Sequence, residues 1–557
     1  MEQKRFDVWH VYPRPQLKRD SYVNLNGWWD FKICDGTDLP NQYDKEILVP
    51  FCPESQLSGV NQPILPGKNL FYRRNFSLPK DFNRGRVLLH VGAADQIATI
   101  YVNQKKLAVH EGGYTAFTVD ITDALLPENE LVIWCVDDLR SSRLPYGKQC
   151  LKPDGMWYTP VSGIWQSVWL ESVPDHYIRD LRIDCHGTSV TVSIDPPMDG
   201  TVNVLALGEY PLVDGKVTIA PDHPRLWSPE DPFLYDFTVR AGNDLVDSYF
   251  ALRTLSVETV DGYQRLCLNG KPYFFHGLLD QGYWPDGLFT PAAPECYADD
   301  ILAMKKLGFN TLRKHIKVEP EEFYYQCDRL GMVVFQDMVN NGDYGFLRDT
   351  ALPTAGVQTL CDKNLHRDPK TRHEFLRHME STVAQLRNHP SILYWTIFNE
   401  GWGQFDSDNV YRHLKALDGS RWIDSTSGWF RRKESDVDSR HVYFKPIRLK
   451  AGNKPLVLSE FGGYSFKPQG HVFNTEKTYA YGKYADLEAF RQALEQLYRE
   501  QVIPAAKRGL CAAIYTQVSD VEDETNGLLS YDRKVEKLSP TQMLPIAQAL
   551  QSALDNE

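Results

Sequence analysis

The spacing of apolar residues changes once along this 557-residue chain, at about residue 258. Up to about residue 176, short segments alternate apolar and polar positions near period two. They are VNLNGWWDFKI, NLFYRRNFSL, RVLLHVGAA, ATIYVNQKKLAVHEG, NELVIWCVDD and IWQSVWLESV, separated by Gly, Pro, Asn and Asp. β-Branched and aromatic residues in that alternation predict half-buried strands, and the turn punctuation predicts an antiparallel β jelly roll over residues 1–176. From 177 to 257 the pattern stays β but the segments change: LRIDCHG, SVTVSIDPP, GTVNVLALG, GKVTIA, LYDFTVRAG and DSYFALRTL. These predict a small immunoglobulin-like β-sandwich.

After residue 258 strand-like and helical stretches alternate. Continuous apolar runs occur at YFFHGLL, FNTLRKH, MVVFQDM, ILYWTIFNE, RWIDSTS, HVYF, PLVLSEFGG and LCAAIYTQVSD. Between them lie ECYADDILAMKKLG, PEEFYYQCDRLG, TRHEFLRHMESTVAQLRNH, SDNVYRHLKALD and ADLEAFRQALEQLYREQVIPAAKRG. Several of these carry apolar residues at i, i+3, i+4 and i+7, with Gly just past the end. Eight buried-strand candidates with intervening helices predict a (β/α)8 TIM barrel over 258–557. An open doubly wound sheet is the weaker alternative, because no GxGxxG or GxxxxGK[ST] follows a strand.

Composition narrows the function. The net charge of −12, from 61 basic and 73 acidic residues, is spread along the chain and lacks the basic stripe that nucleic acid requires. Ten cysteines are scattered without CxxC spacing, so reduced thiols are expected rather than a disulfide or zinc framework. The N-terminal MEQKRFDVWHVYPRPQLKRD has no apolar signal core, and no run approaches the roughly 18 apolar residues of a membrane span. The expectation is a soluble cytoplasmic enzyme with no membrane partner. Aromatics at 12% suit sheet packing and also the aromatic walls of a sugar cleft.

Catalytic groups of a barrel belong at the C-terminal ends of its strands. ILYWTIFNEGWGQ runs seven largely apolar residues into Asn399 and Glu400, with Phe398 and Trp402 alongside. A carboxylate there is desolvated, as a general acid near neutral pH requires. PLVLSEFGG repeats the arrangement at Glu460. Either glutamate alone also reads as a salt bridge or helix cap; the pair in matching contexts points to glycoside hydrolysis. Carboxyls about 5–5.5 Å apart make a retaining enzyme, and about 6.5–9.5 Å an inverting one.

NEGWGQ and LSEFGG, at the fourth and seventh barrel strands, resemble glycoside hydrolase family 2. The likeness extends along nearly the whole chain. PRPQLKRDSYVNLNGWWDFKI, VGAADQIATIYVNQKKL and YTPVSGIWQSVWLE resemble the family's sugar-binding jelly roll. PRLWSPEDPFLYDFTV resembles the end of its immunoglobulin-like domain. NGKPYFFHGLLDQGYWPDG and GFNTLRKHIKVEPEEFYYQCDRLGMVVFQDM resemble its first barrel strands. The resemblance implies Glu400 as acid/base and Glu460 as nucleophile. It gives Asn399 a contact to the sugar 2-hydroxyl, and has Arg313 and Tyr443 holding the nucleophile ionised. His315, His441, Trp429 and Tyr515 are implied as further pocket residues, and Asp280 is a candidate as a polar residue at a strand end. No cofactor and no metal are implied; the partner is a carbohydrate, and homo-oligomerisation is left open. The Asn-x-Lys-Gly element with which family β-glucuronidases grip a carboxylate is not seen around TQVSDVEDETNGLLSYDRK. A neutral exo-substrate, β-galactoside first, is therefore expected. β-Mannoside, β-glucoside, α-arabinopyranoside and β-glucuronide are the alternatives.

Two rivals belong to other classes. A metal hydrolase would use the histidines around HEFLRH, but His373 and His378 would lie about 140° apart on a helix. A carbohydrate-binding protein with an inactive barrel predicts a missing carboxylate, and both are present.

Overall fold

The computed structural model describes residues 8–554 except 355–356, 358–361 and 364. Two antiparallel sheets form the jelly roll. One has four strands, including Arg86–Val91 and Val168–Val173; the other has six, including Gly27–Cys34, Asn69–Phe76 and Asn129–Val136. The alternation read from the sequence puts Trp29, Phe31, Leu70, Tyr72, Leu89, Ile100 and Ile133 into the core between them. The immunoglobulin-like sandwich packs a three-stranded sheet on a four-stranded one around Val192, Val202, Phe237, Val239 and Val246.

The barrel strands are β1 (Phe275–Asp280), β2 (Thr311–Lys314), β3 (Val333–Asp337), β4 (Ile392–Asn399), β5 (Trp422–Ser427), β6 (Asp438–Val442), β7 (Leu456–Gly462) and β8 (Leu510–Thr516). They form one parallel sheet in the order β5-β4-β3-β2-β1-β8-β7-β6. All eight positions of β4 are buried, which is why a strand covered on both faces reads as a continuous apolar run. Side chains bridge the seam between β5 and β6. The Ile423 amide donates to Asp436 Oδ2 at 2.9 Å, and the hydroxyls of Ser427 and Ser439 lie 3.4 Å apart.

The five expected helical segments are helices: Glu295–Lys306, Glu321–Leu330, Pro369–Leu386, Ser407–Leu417 and Leu487–Leu497. Gly331, at φ 74°, ends the second in the left-handed conformation that glycine tolerates best. Two readings differ from the structure. The sixth strand ends at Val442 rather than running through HVYF, so Tyr443 stands just past it. A helix at Pro540–Ser552 escapes the periodicity reading because Pro545 interrupts its pattern.

Two contacts fix the domains against the barrel. Trp9, Phe51, Tyr114, Tyr158 and Trp165 of the N-terminal region share one apolar core with barrel residues Leu278, Tyr283 and Phe289. Buried Arg19 pairs with Glu171 of the jelly roll at 3.0 Å and with Asp244 of the sandwich at 2.8 Å. Beneath the barrel the hairpin Leu255–Val260/Tyr263–Leu268 spans residue 257. Its Arg265 donates to the carbonyls of Ala506 and Leu510. The nine described cysteines are free thiols; Cys361 lies outside the described residues. No helix among the described residues is long and apolar enough to cross a membrane.

Candidate active site

The ends of β2, β3, β4, β6 and β7 converge on one buried cluster with Arg313 at its centre. Its Nη1 donates to Glu460 Oε1 (3.0 Å) and the Ser459 carbonyl (3.0 Å), its Nη2 to Asn399 Oδ1 (2.9 Å) and its Nε to Asp337 Oδ1 (3.0 Å). The other oxygen of Glu460 accepts from the Tyr443 hydroxyl, which also lies 3.0 Å from Thr516 Oγ1. Tyr443 stacks on Tyr481 with ring centres 3.8 Å apart.

Glu400 reaches the cluster through an unusual backbone. Its φ is +51°, a conformation that costs a side-chain-bearing residue roughly 1–3 kcal/mol. Its Oε1 lies 2.8 Å from His441 Nδ1, which is also 3.5 Å from Glu460 Oε2. One imidazole nitrogen thus sits between the two carboxylates, and the three ligand atoms all lie within 4.8 Å of one another. His441 Nε2 is held 2.9 Å from Ser427 Oγ.

Burial alone would push the Glu460 carboxyl up. The charges of His441, Arg313 and His315, with the Tyr443 hydrogen bond, outweigh it and hold Glu460 below the ordinary glutamate value. Asp337 is likewise lowered against its burial, by Arg313 and by His315, whose Nδ1 lies 2.7 Å away. The Tyr443 hydroxyl is raised well above its usual range by burial and by Glu460, so it stays a donor.

The structure brings Asn399, Arg313, His315, His441 and Tyr443 together with both glutamates. Trp429 joins them at the rim, its ring 5.6 Å from that of His441 and its indole nitrogen without a hydrogen-bond partner among the described residues. Asp280 and Tyr515 are turned elsewhere. Asp280 pairs with Lys314 at 2.7 Å. Tyr515 hydrogen-bonds the Tyr464 backbone and packs against Gly462, where a Cβ would stand 2.3 Å from its ring.

Sequence reasoning missed Lys148 and Glu524. Lys148, on a jelly-roll loop, places its ammonium 4.5 Å from the Trp402 ring centre, and the carboxylates that act on its charge are Glu524, Glu460 and Glu400. Glu524 follows β8 and accepts from Tyr158 and from Asn526. Neither lies in a periodic segment; the only sequence signals were the buried-type aromatics of GMWYTP and the acids of VEDET.

Glu400, His441 and Glu460 are spaced closely enough to ligate a metal ion. Glu460, however, already receives Arg313 on one oxygen and Tyr443 on the other, a donor set that serves an anion rather than a cation. The histidines of the helix Pro369–Leu386 do not converge: His373 is exposed, and buried His378 donates to the Glu374 carbonyl.

A parallel eight-stranded barrel with facing glutamates after β4 and β7, behind two β-domains, has the architecture of a barrel glycosidase. The family model for the TIM barrel domain of glycosyl hydrolases family 2 matches residues 259–539, the family's galactose-binding-like domain matches 51–146 and its central domain 186–253. The chain belongs to glycosyl hydrolase family 2.

It is 25% identical to a β-galactosidase of Thermoanaerobacter pseudethanolicus over 62% of this chain and 46% of that protein. It is 23% identical to one of Pseudoalteromonas haloplanktis over 79% and 47%, and 25% identical to a β-glucuronidase of Paenibacillus borealis over 74% and 73%. The chain thus spans about half the length of the β-galactosidases it matches. Among solved structures, a Ruminococcus gnavus β-glucuronidase superposes with a TM-score of 0.76 at 18% identity, covering 99% of this chain and all of that one. A β-galacturonidase from Eisenbergiella tayi gives 0.69 at 17% identity, covering 98% and 99%. These two likenesses show the fold.

Proposed function

We propose that the protein is a retaining, exo-acting glycoside hydrolase with Glu460 as nucleophile and Glu400 as acid/base. The observation that carries this is the shared His441 nitrogen, which leaves oxygens of the two glutamates within 4.8 Å of each other. That gap fits the close pair of a retaining enzyme, about 5–5.5 Å between carboxyls, and leaves no room for the water an inverting enzyme holds there.

Glu460 attacks the anomeric carbon as the C–O bond to the leaving group breaks, and Glu400 gives its proton to the departing oxygen. Glu400 then takes a proton from water, whose oxygen displaces Glu460 and frees the carboxylate. Arg313 and Tyr443 keep Glu460 ionised before attack and receive it as it leaves. Asn399, positioned by Arg313, faces the sugar 2-hydroxyl. No cofactor enters either step.

A neutral sugar, β-galactoside first, is the preferred substrate. The second reading is a β-uronide, favoured by the likeness to solved structures of a β-glucuronidase and a β-galacturonidase.

Proton NMR of the hydrolysate before mutarotation tests the mechanism: the first-formed sugar keeps the substrate's configuration. Glu460→Ala loses activity on the order of 10⁴-fold or more, and azide restores it as a glycosyl azide of inverted configuration. Glu400→Gln slows alkyl glycosides by about 10²–10⁴-fold, but activated aryl glycosides far less in the glycosylation step. Inverted sugar from the wild-type enzyme would refute the double displacement even if both glutamates proved essential.

A further inference from the structure

Lys148 is 6% exposed, and its ammonium has no hydrogen bond or ion pair with any described residue. Burying an ammonium costs several kcal/mol; the rings of Trp402, Trp157 and Tyr158, 4.5, 5.7 and 6.0 Å away, offset part of that but accept no hydrogen bond of ordinary strength. The loop that carries Lys148 is firmly docked. The Tyr146 hydroxyl donates to the Gly342 carbonyl at 2.8 Å, the Tyr158 amide to the Lys148 carbonyl at 3.0 Å, and Gln149 to Asp95 at 2.7 Å. Gly147, at φ +67°, lets the backbone pass where a Cβ would stand 2.8 Å from the Tyr114 hydroxyl.

The opposite wall comes from the barrel. Glu524 is 3% exposed, and each oxygen accepts a single hydrogen bond, from the Tyr158 hydroxyl and from Asn526 at 3.1 Å. Each oxygen keeps room for one more donor. Lys148 and Glu524 form no ion pair with each other, although each is the other's foremost charged neighbour. A donor without a hydrogen-bond acceptor and an acceptor with spare capacity therefore meet around Tyr158, whose ring centre lies 6.0 Å from the ammonium and whose hydroxyl donates to Glu524, one group from each domain.

A hydroxyl both accepts and donates, so adjacent hydroxyls satisfy both walls at once. A substrate carboxylate would satisfy Lys148 but stand beside Glu524 and Glu460. Half-buried Trp157, its ring 5.3 Å from that of the fully buried Trp402, supplies the apolar face that a pyranose ring stacks on. We propose that Lys148 and Glu524 form a cross-domain specificity clamp on adjacent hydroxyls of an uncharged terminal sugar. Lys148 donates to one hydroxyl and Glu524 accepts from its neighbour. This rests on the glycosidase reading above and narrows it to neutral hexosides.

The test is a 4-nitrophenyl panel of β-galactoside, β-glucoside, β-mannoside, β-galacturonide and β-glucuronide, assayed with the full chain, Lys148→Met and Glu524→Gln. The wild-type enzyme should turn over a neutral hexoside with kcat/KM well above its matched uronide. Each substitution should lower that value by about 10–100-fold, the worth of a hydrogen bond to a charged group. Among monodeoxy analogues of that hexoside, one should cost the wild-type enzyme a similar factor, and Lys148→Met should lose nothing further on it. A merely structural lysine would lose equally on both.

Wild-type preference for a uronide that Lys148→Met abolishes would overturn the clamp and make Lys148 a carboxylate anchor. Unchanged kcat/KM in both variants would overturn it too, while leaving the glycosidase reading intact. A folded wild-type enzyme that cleaves nothing in the panel would sink both.

Discussion

Two sets of buried acids in this molecule behave in opposite ways. At the barrel mouth, Glu460 and Asp337 are almost completely buried yet held below their ordinary values. In the jelly roll, Glu54, Asp95 and Asp137 are as deeply buried, and their carboxyls are raised. Glu54 is pushed up to about 8 and Asp137 to about 7, chiefly by burial, and Asp95 far up by burial and the charge of Asp137. Each jelly-roll acid accepts from neutral donors only, Ser162 or Gln149, and keeps one oxygen without a hydrogen-bond partner among the described residues. The mouth acids share a guanidinium. Burial sets the penalty on charge, and the supply of cations decides whether the charge survives it.

The strongest way to break the contrast is to remove the cation. Arg313→Met should give Glu460 the environment of the jelly-roll acids. kcat/KM at neutral pH should fall on the order of 10³-fold, with the acidic limb of the pH profile displaced upward. Arg313→Lys should keep the limb lower than Arg313→Met does. An unmoved limb in Arg313→Met would show that Arg313 does not set the ionisation of Glu460.

A smaller effect probes the other side. A carboxyl raised by folding binds its proton more tightly in the folded state. Its contribution is complete below the unfolded value and is lost as pH rises through the folded one. Between about pH 5 and 8 the three jelly-roll acids therefore contribute a fall in stability, read by urea denaturation against the rise up to about pH 6.5 from His90, His110, His276 and His378, whose imidazoles burial lowers to about 4. Glu54→Gln removes one such proton and should flatten the fall, by at most about 1.4 kcal/mol for each pH unit crossed. A slope unchanged in Glu54→Gln would mean that Glu54 titrates normally.

The smallest change is Tyr443→Phe. Losing a donor to the ionised form raises the Glu460 pKa, so the acidic limb should move to higher pH. Because Arg313 remains, it should move less than in Arg313→Met.

The barrel and its two glutamates were legible because a strand buried on both faces is a continuous apolar run, and a carboxylate at its end stands out. Asn399 was legible for the same reason, and the resemblance supplied Arg313 and His315. The resemblance placed Tyr443, although HVYF misplaced the strand end: β6 alternates buried and half-buried positions and offers no long apolar run. Asp280 shared the strand-end signal, but Lys314 of the neighbouring β2 takes it. Lys148 and Glu524 were not legible. Each lies on an aperiodic loop, and they come together only because Trp165, Tyr158 and Phe289 weld two domains into one core. Local pattern carries no information about such a meeting.

The left-handed backbone at Glu400 has a consequence for how this enzyme can be improved. Substitution by glycine would relieve the φ of +51° that glutamate adopts there and relax the loop between β4 and the helix Ser407–Leu417. A selection that rewards heat resistance alone will therefore be drawn to position 400, and its winners there will be sturdier and, on the proposed mechanism, unable to protonate a leaving group. Directed evolution of this scaffold must score turnover and robustness in the same round, because at this one residue they pull in opposite directions.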